Sequence, residues 1–175
     1  IKREKQKARL GELKMRLAEL YYDRSRLVAL KESEVWSKEV EQWNALPEAT
    51  KAKKPRPVLK TPKSDEVRRK SLGLYNELEV ASRNANQAKE MMIARDEVLF
   101  YLAMTHTELG DNKKAIGYFE KLTTKFARSE KAGLAKLSLA DAYFQSNNFK
   151  KALPLYLEVA ASKSEEFAKL RPYST

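Results

Sequence analysis

The apolar positions of this chain recur at helical spacing, and then the whole block recurs. Leu102, Ala103, His106, Ala115 and Phe119 return as Leu139, Ala140, Tyr143, Ala152 and Tyr156, each displaced by 37 residues. A fixed period of this size predicts a helical array. Each copy is a helix pair that cannot bury its apolar face alone, so the copies stack and curve into an extended concave surface suited to another chain. No strand-like alternation of useful length interrupts the pattern.

A third copy emerges once an insertion is allowed. Lys14-Met15-Arg16-Leu17-Ala18-Glu19-Leu20-Tyr21-Tyr22 matches Lys136 to Phe144 in residue class, which makes it the first helix of a pair. Its partner lies far downstream, where Ser71 to Leu78 reads like Ala115 to Leu122. From about Lys2 to Asn44 there is no proline and only Gly11, so one helix of about 65 Å is predicted at 1.5 Å per residue. Beyond Arg24 that helix carries Trp36, Val40 and Trp43 on one stripe. The predicted cover is the helix starting near Ser64, with Val67, Leu72, Leu74, Tyr75 and Leu78, so that both tryptophans staple two helices together. The alternative is a tryptophan anchor for a partner. Ser64-Asp65-Glu66 reads as a helix cap with an acidic first turn.

At these residues the chain resembles the tetratricopeptide repeat. The middle copy matches that pattern at Leu99, Leu102, Ala103, Ala115 and Phe119, with Gly110-Asp111-Asn112 as the turn and His106 where an aromatic is usual. The last copy matches at Leu139, Ala140, Tyr143, Ala152 and Tyr156, but Lys136 takes the first apolar place and Asn147 replaces the turn glycine. The first copy departs most, with Lys14 at that place and no tight turn. The period is a few residues longer than the standard repeat. It is similar in this to repeat proteins of bacterial cell envelopes, such as the Tol-Pal coordinator and gliding-motility proteins.

The resemblance implies an all-α, right-handed solenoid of about three helical hairpins, the first with an elongated helix pair. It also implies a groove lined by the first helix of each pair. Carried over residue by residue, the lining is Met15, Glu19, Tyr22 and Asp23; then Glu97, Phe100, Met104, Thr107 and Glu108; then Leu134, Leu137, Asp141, Phe144 and Gln145. An extended peptide or a partner helix fits such a groove. Cover by a neighbouring helix is the competing role for these side chains.

Charge changes the picture at one place. Of the net +11, residues 1–70 carry 20 basic against 11 acidic residues, whereas the rest of the chain is nearly balanced. Lys51, Lys53, Lys54, Arg56, Lys60 and Lys63 lie among three prolines with no acid, which predicts an extended, mobile loop. A positive field of this kind attracts acidic proteins, anionic lipid or nucleic acid. Nucleic acid is disfavoured, because the loop has no aromatic to stack on bases. A solvated tether with incidental charge is the plainer role.

The inventory argues against an enzyme and implies no cofactor or metal. There is one histidine, no cysteine, no phosphate-cradling glycine loop and no paired-histidine spacing. His106 falls on a packing position. No apolar run reaches the length of a membrane span. Pro154 predicts a slight kink or a late start to the last helix.

The expected organisation is a long helix over 1–45, a basic loop over 46–63, its partner helix over 64–86, a second repeat over 87–127, a third over 128–164, and the start of a further repeat over 165–175. The last of these, and a start at Ile1, read as an excerpt of a longer protein. The expected function is a non-enzymatic protein-interaction scaffold in a bacterial cell-envelope complex, with the periplasm preferred over the cytoplasm. The alternative is a basic module docking on an anionic polymer, a membrane surface or nucleic acid through residues 51–63.

Overall fold

The computed structural model describes residues 2–161, with side chains from Lys5 onward. Helix α1 runs over Lys2–Asn44, as long as its proline-free sequence allows. A single turn, α2 (Glu48–Lys51), precedes the proline-rich loop, and α3 (Pro62–Ser82) returns along α1. A short α4 (Ala85–Glu90) links this hairpin to two others, α5 (Arg95–Glu108) with α6 (Asn112–Lys125), and α7 (Ala132–Gln145) with α8 (Phe149–Ala161). Successive hairpins touch through α3 with α5 and α6 with α7. The described chain is an all-helical stack of three hairpins. The expected start of a further repeat at 165–175 lies outside the described residues.

The 37-residue pattern is a pattern of burial. Leu102 and Leu139, Ala103 and Ala140, His106 and Tyr143, and Ala115 and Ala152 are all buried. Small residues face each other where paired helices cross: Ala103 and Ala115 have no exposed surface, and neither do Ala18 and Ser71. The Ser71 hydroxyl donates to the Ala18 carbonyl at 2.8 Å, which satisfies a polar group in this otherwise apolar contact. Tyr75 and Leu78 are buried as Phe119 and Leu122 are, and α3 packs along α1.

Leu17 departs from its equivalents. Leu102 reaches back to Ala18, Tyr75 and Leu78 of the preceding hairpin. Among the described residues no hairpin precedes α1, so Leu17 is 44% exposed.

Gly110 and Asn147, one period apart, both adopt left-handed backbone, with φ of 76° and 58°. Asparagine is among the few residues with a side chain that tolerate this region, so the turn survives the loss of its glycine. Asn148 then caps α8 by accepting from the Lys151 amide. Helix α8 begins at Phe149 and carries Pro154 on its exposed side, so the late start does not occur.

Gly11 has a different reason. A Cβ there would lie 2.2 Å from the Met91 carbonyl oxygen, in the turn that joins α4 to α5. Gly11→Ala should therefore push α1 off this turn and cost about 1–3 kcal/mol as an overpacking change. A lowered urea midpoint checks this, and an unchanged midpoint contradicts the contact.

Two expectations at the loop are corrected. The tryptophans do not staple α1 to α3. The Trp36 indole donates to the Pro57 carbonyl at 3.0 Å and the Trp43 indole to the Lys54 carbonyl at 2.8 Å, so they pin the loop itself along α1. The loop is extended over 55–61 but held at two carbonyls, because prolines leave acceptors without competing donors. The cap of α3 also differs. Thr61 stands at the N-cap with Pro62 at the first helical position, and Ser64 is buried inside the helix. Glu32 on α1 accepts from the Lys63 and Ser64 amides at 2.9 and 3.3 Å. Burial alone would raise the Glu32 pKa, but bonds from the Ser64 hydroxyl and these two amides hold it below the ordinary range.

Candidate functional site

The first helices of the three hairpins, α1, α5 and α7, carry the residues carried over as groove lining. The structure divides them into two groups. Phe100 is 6% exposed and belongs to the core: it packs edge-on to Tyr101 and Phe119, with the Lys131 ammonium 5.8 Å above its ring. Tyr22 is 5% exposed. Its hydroxyl donates to Glu108 at 2.8 Å, and Glu108 in turn accepts from Arg68 Nε at 2.8 Å. Arg68 also reaches Asp65 at 2.7 Å and Ser64 at 3.1 Å. Tyr22 and Glu108 are thus committed to a network that ties α1, α3 and α5 together. Burial first, then the negative charge and hydrogen bond of Glu108, push the Tyr22 hydroxyl pKa upward.

The second group is open. Met104, Thr107, Leu134 and Leu137 are half-buried, while Asp141, Phe144 and Gln145 are exposed. Thr107 spends its hydroxyl on the Ala103 carbonyl at 3.1 Å. Asp141 accepts from Tyr156 at 2.6 Å, and burial together with this acceptor pushes the Tyr156 pKa up to about 12. Phe144 packs edge-on against Phe149 at 5.3 Å, yet more than half of its surface stays exposed. On α1 and α5, Met15, Glu19 and Glu97 are half-buried and Asp23 is exposed. The Glu19 pKa is raised by burial and then by Glu97 and Asp23, against the opposing pull of Arg16 and Lys131. The open row is therefore apolar with a surplus of carboxylates, in a chain that is otherwise basic.

The basic residues lie elsewhere. Lys53, Lys54, Arg56, Lys60 and Lys63 are exposed, whereas Lys51 is half-buried, paired with Glu48 at 2.9 Å and set 5.5 Å from the Trp43 ring centroid.

His106 occupies a packing position. It stacks on Tyr118 with centroids 5.6 Å apart and has Nδ1 3.6 Å from an Asp111 carboxylate oxygen. Burial holds its pKa below 6.5, with Lys114 adding to the effect and Asp111 opposing it. The folded state therefore prefers the neutral ring. Its stability is complete above the unfolded value near 6.5 and falls as pH drops through the folded value. His106→Phe should flatten the melting midpoint against pH below about 6.5; an unaltered slope contradicts this.

Among the described residues no group of three or more histidine, cysteine or acidic side chains converges as a metal site, and no helix is long and apolar enough to cross a membrane.

One feature escaped the repeat reading. Leu10, Leu13, Leu17, Leu20 and Leu27 of α1 are 44–64% exposed and follow three-and-four spacing away from the packed face. The spacing is visible in the sequence, but Leu17 is absorbed there into the repeat pattern.

Three stacked hairpins with small residues at each crossing define a helical-repeat protein. The family model described as Tetratricopeptide repeat matches residues 97–129, which cover most of α5, all of α6 and the turn after it. No curated protein and no solved structure matches the chain at a significant level.

Proposed function

We propose that this chain is a non-enzymatic scaffold that holds a basic amphipathic peptide or partner helix along the open row of α1, α5 and α7. The observation that carries the reading is the set Leu137, Asp141 and Phe144 on α7, beside Met104 of α5, which packs on the core but keeps part of its surface open. A helix laid in a groove is read by apolar anchors of this kind, and the carboxylates Glu19, Glu97 and Asp141 set the sign of its charge. The tetratricopeptide repeat at residues 97–129 supports a protein partner. The long period supports a bacterial cell-envelope complex as the setting, with the periplasm as the compartment.

The exposed cations of the loop favour a second reading, docking on an anionic polymer, membrane or nucleic acid. Two variants separate the readings in a crosslinking pull-down. Asp141→Lys with Phe144→Ala changes the row at exposed positions, and Lys53→Gln, Lys54→Gln and Arg56→Gln together neutralise the loop. Loss of defined partner proteins with the first variant alone supports the groove. Loss with the second alone replaces it with charge docking.

A further inference from the structure

The leucine stripe of α1 is open in the stack and lies beside the open row, sharing Asp23 at its edge. Its spacing is that of a coiled-coil seam, with Leu10, Leu17 and Arg24 at one core position and Leu13, Leu20 and Leu27 at the other. We propose that α1 pairs with α1 of a second copy of this chain, in antiparallel orientation. The charges choose the orientation. A parallel pair would set Arg24 against Arg24 in the seam and Arg9 beside Lys14 on its flank, like charges in both places. In the antiparallel pair Leu10 faces Leu27, Leu13 faces Arg24, and Leu17 faces Leu20, so every apolar layer is filled over about 27 Å of helix.

The flanks of that arrangement place Arg16 of one copy beside Asp23 of the other, twice by symmetry. Both residues are exposed, and neither has an ion-pair partner within 4.0 Å among the described residues. On the other flank Lys14 meets Tyr21, and Lys14 is already held by Glu77 at 2.6 Å, which mutes its charge. The Arg24 stem covers Leu13 while its guanidinium reaches water.

Sedimentation equilibrium of the 175-residue chain, together with disulfide trapping, tests the pairing. The chain has no cysteine, so any introduced thiol reports only its own position. A concentration-dependent dimer is expected. Leu13→Glu with Leu20→Glu should make it monomeric without lowering its helical content, since both positions are exposed. Arg16→Asp or Asp23→Arg alone should weaken the dimer roughly tenfold or more by like-charge contact, and the two together should restore it. An equimolar mixture of Leu10→Cys and Leu27→Cys chains should form a mixed disulfide. A chain that stays monomeric to high micromolar concentration overturns the proposal. A dimer indifferent to the glutamates or to the charge exchange overturns it too, as does trapping of Leu10→Cys with itself in place of the mixture.

Discussion

Leu102→Ala is expected to lower the stability of the chain by about 2–5 kcal/mol through loss of buried surface and the cavity left behind. Leu102 has no exposed surface and packs on Ala18, Tyr75, Leu78 and Val98, where the second hairpin meets the first. Its loss removes a contact between hairpins as well as one inside a hairpin. In a stack held by nearest-neighbour interfaces the first hairpin should therefore loosen before the third. Hydrogen exchange would show α1 and α3 opening at lower urea than α7 and α8. Leu17→Ala, at the same repeat position but exposed in the single chain, should cost far less at concentrations where the chain is monomeric. Equal costs would contradict the repeat register at the first copy.

Arg68→Met is expected to cost about 2–4 kcal/mol. Removing one partner of a fully buried pair typically costs about 3–5 kcal/mol, and the Glu108 carboxylate keeps some access to water. The variant leaves Glu108 facing the Tyr22 hydroxyl alone and removes the cation paired with Asp65. Adding Glu108→Gln should recover part of the loss, because the remaining side chain is neutral and still accepts from Tyr22. A double-mutant cycle in urea measures the coupling. A coupling near zero would mean that this ion pair does not hold the three helices together.

Most of the fold was legible because burial follows the sequence period. The proline-free run set α1, and the likeness of Ser71 to Leu78 with Ala115 to Leu122 located its partner across the insertion. Asn147 in the glycine place read as a departure from the pattern, and its tolerance of left-handed backbone is what keeps the turn. What escaped depends on contacts across long stretches of chain. Arg68 meets Glu108 forty residues away, and Glu32 caps a helix that begins thirty residues later. No local pattern marks either. The loop cations read as mobile, yet two indoles hold the backbone beneath them, because tryptophan patterning shows an apolar stripe but not the carbonyls its N–H will find. Phe100 fails as an open groove residue for a related reason. Its place on the helix is that of a lining residue, but α6, Tyr101 and Lys131 close over it.

Legibility also fails where one residue serves two patterns. Leu17 belongs to the repeat alignment and to the seam of α1, and the repeat reading takes it first. Its 44% exposure separates the two roles.

In the proposed function, partners are held on the open row of the repeat stack and not by its charged loop. A photo-crosslinking residue placed at Phe144, and in a second chain at Arg56, tests this most directly in intact source cells. Defined protein adducts are expected from position 144 and none from position 56. Adducts from position 56 alone would contradict it and assign binding to the loop.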